Sequence, residues 1–568
     1  MEEMIGPITP LAQELHAAKY RGEGESFREA TIRLSDTLAD SDEHFEALRE
    51  ITGEQRFLPA GRVQSAIGSP RNVSAINCIV SGTIVDSMEG IMGAATNAAL
   101  TMKRGCGIGY DFSTIRPSGS HIVSLDSPAS GPLSFMQIFD ATCKTVSSAG
   151  NRRGAQMGVL RVDHPDIEAF IEAKCNETEL TAFNISVGIT DEFMVAVQEN
   201  STFSLKFEGK VYKQVNAKRL YDKLMRATWD WAEPGIIFLD RINEMNNLWY
   251  CEEIAATNPC GEQPLPPHGA CLLGSFNLVK YVYQGEGVAM SFDYPLFIQD
   301  IRDVVRAMDN VIDNTTYPLP EQEAEAKAKR RLGLGVTGLA NAIEYMGAEY
   351  GCDAFVDIQG RILSTLTNTA YLASSELAIE KGSFPLYDAE SYLKSKFITT
   401  LDAEVQLHIA KHGIANSHLI SFAPTGTISL CADNVSGGIE PVFSYSYDRT
   451  ITKNGEVGID TVEDYAYKFW GVKGKTANEC TIKEHLDVLL TAQKWADSAV
   501  SKTINVGEHV TWDEFKGIYM EAWKGGAKGC TTFRASGKRY GILNETKEKE
   551  EDGMACYIDE VTGQKECS

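Results

Sequence analysis

The sequence predicts an α/β protein, and three observations carry that prediction. Short apolar, β-branched runs alternate with stretches of helical periodicity along most of the 568 residues. Hydrophobic residues make up 43% of the chain, enough for a large core. No short-period repeat interrupts the pattern, which sets solenoids aside. Length alone would give about three or four domains, but closed α/β barrels exceed that prior as single domains.

Taken in order, residues 1 to about 60 place acidic and apolar residues at roughly helical spacing, as from Phe27 to Ile51, and predict an N-terminal helical layer. The run Ser74-Ala75-Ile76-Asn77-Cys78-Ile79-Val80 predicts a buried strand. Asp86-Ser87-Met88-Glu89-Gly90 predicts a helix start, with Asp86 or Ser87 as its cap. Glycines at 105, 107 and 109 lack the offsets of a dinucleotide fingerprint. They equally allow the backbone to pack closely on a neighbour. A polar loop surrounds Arg116, and 134–140 predicts a helix. Residues 147–155 combine small residues with Arg152 and Arg153, a composition that suits phosphate oxygens or a base edge, or else a solvated basic turn.

Farther on, 180–195 predicts a strand followed by a helix, and 234–240 a buried strand. Residues 331–346 and 418–430 continue the alternation. In 421–429 a strand runs into Pro424-Thr425-Gly426-Thr427-Ile428-Ser429 and a helix start. Backbone N–H groups with two Thr hydroxyls and a Ser make an anion site that needs no Lys, or an ordinary capped helix start. An irregular loop follows at 437–441. Past Leu543 the composition becomes charged and core-free, a flexible tether that carries Cys556 and Cys567. Two cysteines on such an arm suit a dithiol shuttle, and without further Cys or His they make a poor zinc site. No metal-ligand set is identified in the chain.

The formal charge of −25 argues against general binding of nucleic acid or anionic membrane, so an anionic small substrate must be held by local donors. The 13 cysteines are odd in number and scattered, the N-terminus is acidic, and no apolar run is long enough to span a bilayer. These features predict a cytoplasmic protein with reduced thiols.

The chemical centre is Asn258-Pro259-Cys260-Gly261-Glu262. Pro and Gly argue for an irregular, tightly held loop. Residues two apart in extended chain point the same way, so Asn258, Cys260 and Glu262 can line one surface. Taken alone, Cys260 also reads as a buried structural cysteine.

Together these residues carry a family resemblance. Asn77-Cys78, 86–90, 105–112, 116–120, 134–140, 152–158, 184–187, 258–265, 271–278, 333–338, 424–429 and 528–534 resemble, in the same order, stretches of the catalytic subunit of ribonucleotide reductases. The resemblance implies a ten-stranded α/β barrel over 71–540 with specificity loops and a central finger loop that carries a radical cysteine. It implies a helical region at 1–70 without the ATP-cone of many relatives, and a redox tail at 541–568. Cys260 is then similar to the cysteine that becomes a thiyl radical and takes hydrogen from the ribose 3′ carbon. Glu262 resembles the general base for the 3′ hydroxyl, and Asn258 the residue that orients the sugar hydroxyls. Cys78 and Cys271 resemble the pair that becomes a disulfide as the 2′ hydroxyl leaves. Cys556 and Cys567 resemble the arm that reduces this pair, itself served by a thioredoxin- or glutaredoxin-like reductant. Pro424, Thr425, Gly426, Thr427, Ile428 and Ser429 resemble the substrate-phosphate site. Asp86 and Arg116 match positions that hold a dNTP or ATP specificity effector, and Arg152 lies in the relaying loop. The effector site implies a homodimer.

Within the family, one group draws its radical from a separate metal subunit through two adjacent tyrosines near the C-terminus. Thr531 and Thr532 stand at that place, and the chain contains no Tyr-Tyr pair. The short interval from Cys260 to Cys271 resembles the adenosylcobalamin-dependent class II group. A class I alpha subunit that depends on a radical-generating partner is the alternative. Arg539-Tyr540-Gly541 is a superficial match to a third, glycyl-radical group. Phe57-Leu58-Pro59-Ala60-Gly61-Arg62 departs from the Pro- and Ser/Thr-rich pattern of many relatives.

Overall fold

A computed structural model describes residues 6–146, 155–175, 178–284, 290–453 and 456–534, with backbone only at Cys271 and at 448–460. Helices Pro10–Tyr20, Phe27–Leu38 and Asp42–Gly53 form the expected N-terminal layer. Each starts at a side-chain cap: Thr9, Ser26 and Ser41 accept from backbone N–H groups, and Ser26 forms a reciprocal capping box with Glu29. The second buries Ala30, Leu34 and Leu38, and it and the third pack on the long helix Tyr294–Asn314.

Helical character stops before residue 60. Phe57–Pro59 is a strand antiparallel to Leu273–Asn277, with Phe57 opposite Phe276 and their rings 5.0 Å apart. The buried run at 74–80 is regular strand only over Cys78–Val80, although Ala75 and Ile76 are fully buried before it. At the next helix, Met88–Lys103, Ser87 is the cap: its Oγ accepts from the Gly90 N–H at 3.0 Å. That leaves Asp86 available for another partner.

Two sheets build the centre. The larger has eight strands in the order Ala270–Cys271, Cys78–Val80, Gly107–Asp111, Gln156–Arg161, Phe183–Ile189, Gly235–Phe238, Gly529–Arg534 and Thr503–Val506. From the Cys78 strand to the Gly235 strand every pairing is parallel, and their full burial fits near-continuous apolar runs rather than strict alternation. The smaller sheet joins Phe57–Pro59, Leu273–Asn277 and Gly333–Thr337. Isolated parallel bridges link Leu334 to Ile420 and Phe422 to Val500, and residues 270–277 run from the edge of the larger sheet into the smaller. The expected strand at 418–423 is thus reduced to bridges. Helices cover the outside, among them the 29-residue Asp353–Lys381. Among the described residues no helix is long and apolar enough to cross a membrane.

Candidate active site

Residues 258–263 form a finger between two short antiparallel strands, Ala256–Thr257 and Pro264–Leu265. The six residues between the strands are more than a tight two-residue hairpin turn uses, and the Asn258 side chain ties the longer loop together. Its Oδ1 accepts from the N–H groups of Gly261 and Gln263 at 3.1 and 3.0 Å. Gly261 adopts φ +82°, a conformation that favours glycine. The finger is also held from outside. Asn184 donates to the Pro259 carbonyl at 3.1 Å, and the Ser421 hydroxyl and the Ala499 N–H both donate to the Glu262 carbonyl at 2.9 Å. Strand Gly107–Asp111 passes directly beneath. A Cβ on Gly109 would collide with the Thr257 carbonyl, and one on Gly107 would stand 3.1 Å from Pro259 Cγ and 3.3 Å from Cys78 Sγ. The glycine spacing therefore serves close packing of backbone on backbone.

Asn258 and Glu262 do meet: Asn258 Nδ2 donates to Glu262 Oε1 at 2.8 Å, and both side chains are completely buried. Glu262 Oε2 has no hydrogen-bond partner. Burial, and secondarily the neighbouring Cys78 thiol, push the Glu262 carboxyl up to about 8. At neutral pH this group is a protonated acid with one oxygen uncommitted, poised to exchange a proton with whatever occupies the space beside it. Cys78 is buried, and its backbone lies directly opposite that of Cys271 in an antiparallel pair. Opposed residues in such ladders have Cα atoms about 4.5–5.5 Å apart, inside the range of about 4.4–6.8 Å that a disulfide spans.

Cys260 is half-buried. It opens on a cleft that is also lined by Asn184, Ser186, Gly235, Lys502 and Thr531. Neither Asn258, Glu262, Cys78 nor any residue of 424–429 contributes to that cleft. The turn at Gly261 takes the chain out of the extended geometry on which the shared-surface expectation rested, so the thiol has access to a space that its two neighbours do not line.

The 424–429 stretch begins two residues after Phe422 and so lies close to the finger. It becomes a short helix, Gly426–Leu430, after Thr425 at φ +57°. The Thr425 hydroxyl lies 2.8 Å from that of Ser429 and 3.0 Å from that of Thr337, and it accepts from the Gly438 N–H at 2.7 Å. Thr337 also lies 3.0 Å from the Ser429 hydroxyl. Sequence reading missed Thr337, although it closes the glycine-rich strand Gly333–Thr337. It also missed Gln263, a buried amide whose two polar atoms have no partner.

Asp86 and Arg116 are brought together: the guanidinium Nε donates to Asp86 Oδ2 at 2.6 Å, and the pair stays partly exposed beside the capped start of the Met88 helix. Arg152, Cys556 and Cys567 lie outside the described residues.

Residues 76–470 and 472–533 match the family described as "Ribonucleotide reductase, barrel domain". The chain is 34% identical over 496 aligned positions to the vitamin B12-dependent ribonucleoside-diphosphate reductase of Mycobacterium tuberculosis, covering 82% of this chain and 68% of that one. It is 31% identical to the protein of the same name from Thermoplasma acidophilum, covering 97% and 74%. Identity to the ribonucleoside-diphosphate reductase subunit alpha of Chlamydia pneumoniae is 26%, covering 83% and 53%.

Proposed function

Because this chain belongs to the ribonucleotide reductase family, we propose that it reduces ribonucleotides, in the diphosphate form, to 2′-deoxyribonucleotides for DNA precursor synthesis. One observation carries the reading furthest: a buried carboxyl with an uncommitted oxygen shares a six-residue finger with an amide and a thiol, beside a cysteine whose backbone opposes a second cysteine. Ordinary acid–base groups replace a secondary hydroxyl by hydrogen only with difficulty, whereas a radical on the adjacent carbon allows the hydroxyl to leave as water. In this reading the Cys260 thiol gives up its hydrogen atom, and the sulfur radical takes hydrogen from the ribose 3′ carbon. Glu262, once ionised, accepts the 3′ hydroxyl proton, and Asn258 orients the sugar. Cys78 and Cys271 supply two electrons and two protons, one leaving with the 2′ oxygen as water and one ending in the new 2′ C–H bond, and they end as a disulfide, while Glu262 returns its proton to the 3′ oxygen. Cys260 then returns a hydrogen atom to the 3′ carbon.

The cofactor of this reading is adenosylcobalamin, as the names of the relatives support. The cleft would admit part of that cofactor beside the thiol: it reaches Cys260 without crossing Glu262 or Cys78, and Gly235 leaves its wall free of a side chain. Asn184, Ser186 and Thr531 would hold it. When bound, the cofactor supplies an acceptor for a thiol hydrogen atom through homolysis of its cobalt–carbon bond. A class I alpha subunit is not favoured, given the higher identity to the B12-dependent relatives and the threonines at 531 and 532.

The same reading assigns substrate phosphates to 424–429, a dNTP or ATP effector to Asp86, Arg116 and Arg152, and re-reduction by a thioredoxin- or glutaredoxin-like partner to Cys556 and Cys567. It closes ten strands of the two sheets into one barrel through the Leu334–Ile420 and Phe422–Val500 bridges, and it pairs two chains as a homodimer. Purified chain, a dithiol and each ribonucleotide are incubated with and without adenosylcobalamin, and deoxyribonucleotide is measured. Product is expected only with the cofactor. Cys260→Ala abolishes it, while Cys556→Ala loses only multiple turnovers with a protein reductant. Product with an added metal subunit but none with the cofactor would refute the reading.

A further inference from the structure

Residues 499–503 link the finger, the approach to the 424–429 stretch and the cleft beside Cys260. The Ala499 N–H donates to the finger at the Glu262 carbonyl at 2.9 Å. The Phe422 N–H donates to the Ala499 carbonyl at 3.1 Å, and the Ser501 N–H to the Phe422 carbonyl at 2.9 Å, two residues before Pro424. Lys502 Nζ donates to Glu440 Oε2 at 2.6 Å, and the Thr503 N–H to Glu440 Oε1 at 2.7 Å. Glu440 in turn donates its N–H to the Gly437 carbonyl at 2.8 Å, closing the turn in which the Gly438 N–H donates to the Thr425 hydroxyl. Lys502 also lines the cleft that Cys260 faces.

The Glu440–Lys502 pair is sealed, with side-chain exposures of 7% and 0%. A pair buried this completely is a poor stability device, because apolar residues of equal volume generally serve as well. Its value is geometric. One carboxylate fixes both a side chain and a backbone N–H of 499–503 and does so from the turn that grips Thr425. We propose that Glu440–Lys502 is a positioning latch that couples phosphate binding at 424–429 to the placement of the Cys260 finger. The proposal rests on the reading of 424–429 as the phosphate site. A phosphate that orders Thr425 orders the 437–440 turn through Gly438. Glu440 transmits that order to Lys502 and Thr503, and Ala499 delivers it to Glu262. Such a chain earns the word coupling only if both ends respond.

The test uses the full chain without cofactor, with CDP as the probe. Amide exchange of peptides spanning 258–263 is followed with and without CDP, CDP affinity is measured by calorimetry, and turnover is measured on cofactor-loaded enzyme. In the wild type CDP slows exchange of the finger by at least about fivefold. In Glu440→Gln that slowing disappears, CDP affinity stays within about threefold, and kcat falls at least about tenfold with little change in KM. Glu440→Asp, which keeps the charge on a shorter arm, retains part of the slowing and of kcat, and it carries the test alone if Glu440→Gln does not fold. Full CDP-dependent slowing in both variants would overturn the latch, as would a loss of CDP affinity that matches the loss of turnover. Failure of the wild type to bind CDP would overturn the phosphate-site reading and the latch with it. Binding without slowing would overturn the latch alone.

Discussion

The finger and the 424–429 stretch are both irregular, buried loops, yet they are made rigid in opposite ways. The finger is clamped from outside by Asn184, Ser421, Ala499 and the bare backbone of Gly109, and it keeps one buried carboxyl oxygen unbonded. The 424–429 stretch clamps itself. Thr425 sits in a left-handed conformation that costs a non-glycine residue about 1–3 kcal/mol, and the hydroxyls of Thr337, Thr425 and Ser429 bond to one another around it. A region that holds an uncommitted polar atom at zero exposure is built for a proton transfer. A region whose hydroxyls are mutually satisfied is built to hold a shape. The contrast predicts that damage to the finger falls on kcat, and damage to the second region on nucleotide affinity.

The largest combined effect, on rate and stability together, is expected from Gly109→Ala. The added Cβ meets a backbone oxygen, not the end of a flexible side chain, so the finger must move. A displacement of about 1 Å at reacting groups costs on the order of 10²-fold in rate. Steady-state kinetics should show that loss in kcat with KM nearly unchanged, alongside overpacking of about 1–3 kcal/mol in a denaturation curve. Wild-type kcat in this variant would mean that the finger is not held by the close approach.

Glu262→Gln comes next. The substitution keeps a partner for Asn258 but removes the titrating proton, and general acid–base groups contribute about 10²–10⁴-fold. The wild type should show kcat/KM rising with pH toward about 8, where Glu262 ionises, and the variant should lack that limb. Stability carries the opposite sign. A carboxyl with a raised native pKa contributes stability that is complete below its unfolded value and is lost as pH rises through about 8. The melting temperature should therefore fall between about pH 4.5 and 8 in the wild type by more than in Glu262→Gln. Equal falls would place the proton elsewhere.

The same contrast explains what could be read from sequence. Asn-x-Cys-x-Glu was legible because its residue types are themselves the chemistry, and the alternate glycines at 107 and 109 were legible as close packing. The α/β class and the cap at Ser87, one of two candidates, follow from local pattern. The cleft beside Cys260 was not legible, since its walls come from six separate segments and its direction depends on the φ of Gly261. Thr337 was hidden because a threonine at the end of a buried strand looks like β-propensity until Thr425 and Ser429 fold against it. The Glu440–Lys502 pair joins residues 62 apart that no spacing rule connects. Strand 57–59 was misread as helix because its pairing with Leu273–Asn277 overrides a short local pattern.

Thr337→Val should give the smallest effect and sharpens the comparison most. Valine keeps the shape of threonine and removes one hydroxyl that contacts Thr425, Ser429 and the Ser436 carbonyl, each at 3.0 Å. Thr425 and Ser429 still bond to each other, so the stretch keeps its self-clamp in part. Net hydrogen-bond energies of about 0.5–1.5 kcal/mol apiece set a stability loss of about 1–2 kcal/mol. If this region only holds a shape for phosphate, nucleotide KM should rise a few-fold, on the order of 1 kcal/mol of binding, with kcat intact. A fall in kcat like that of Gly109→Ala would show that the Thr337 hydroxyl is itself a necessary member of the chain through Thr425, Gly438 and Glu440 that couples the two loops.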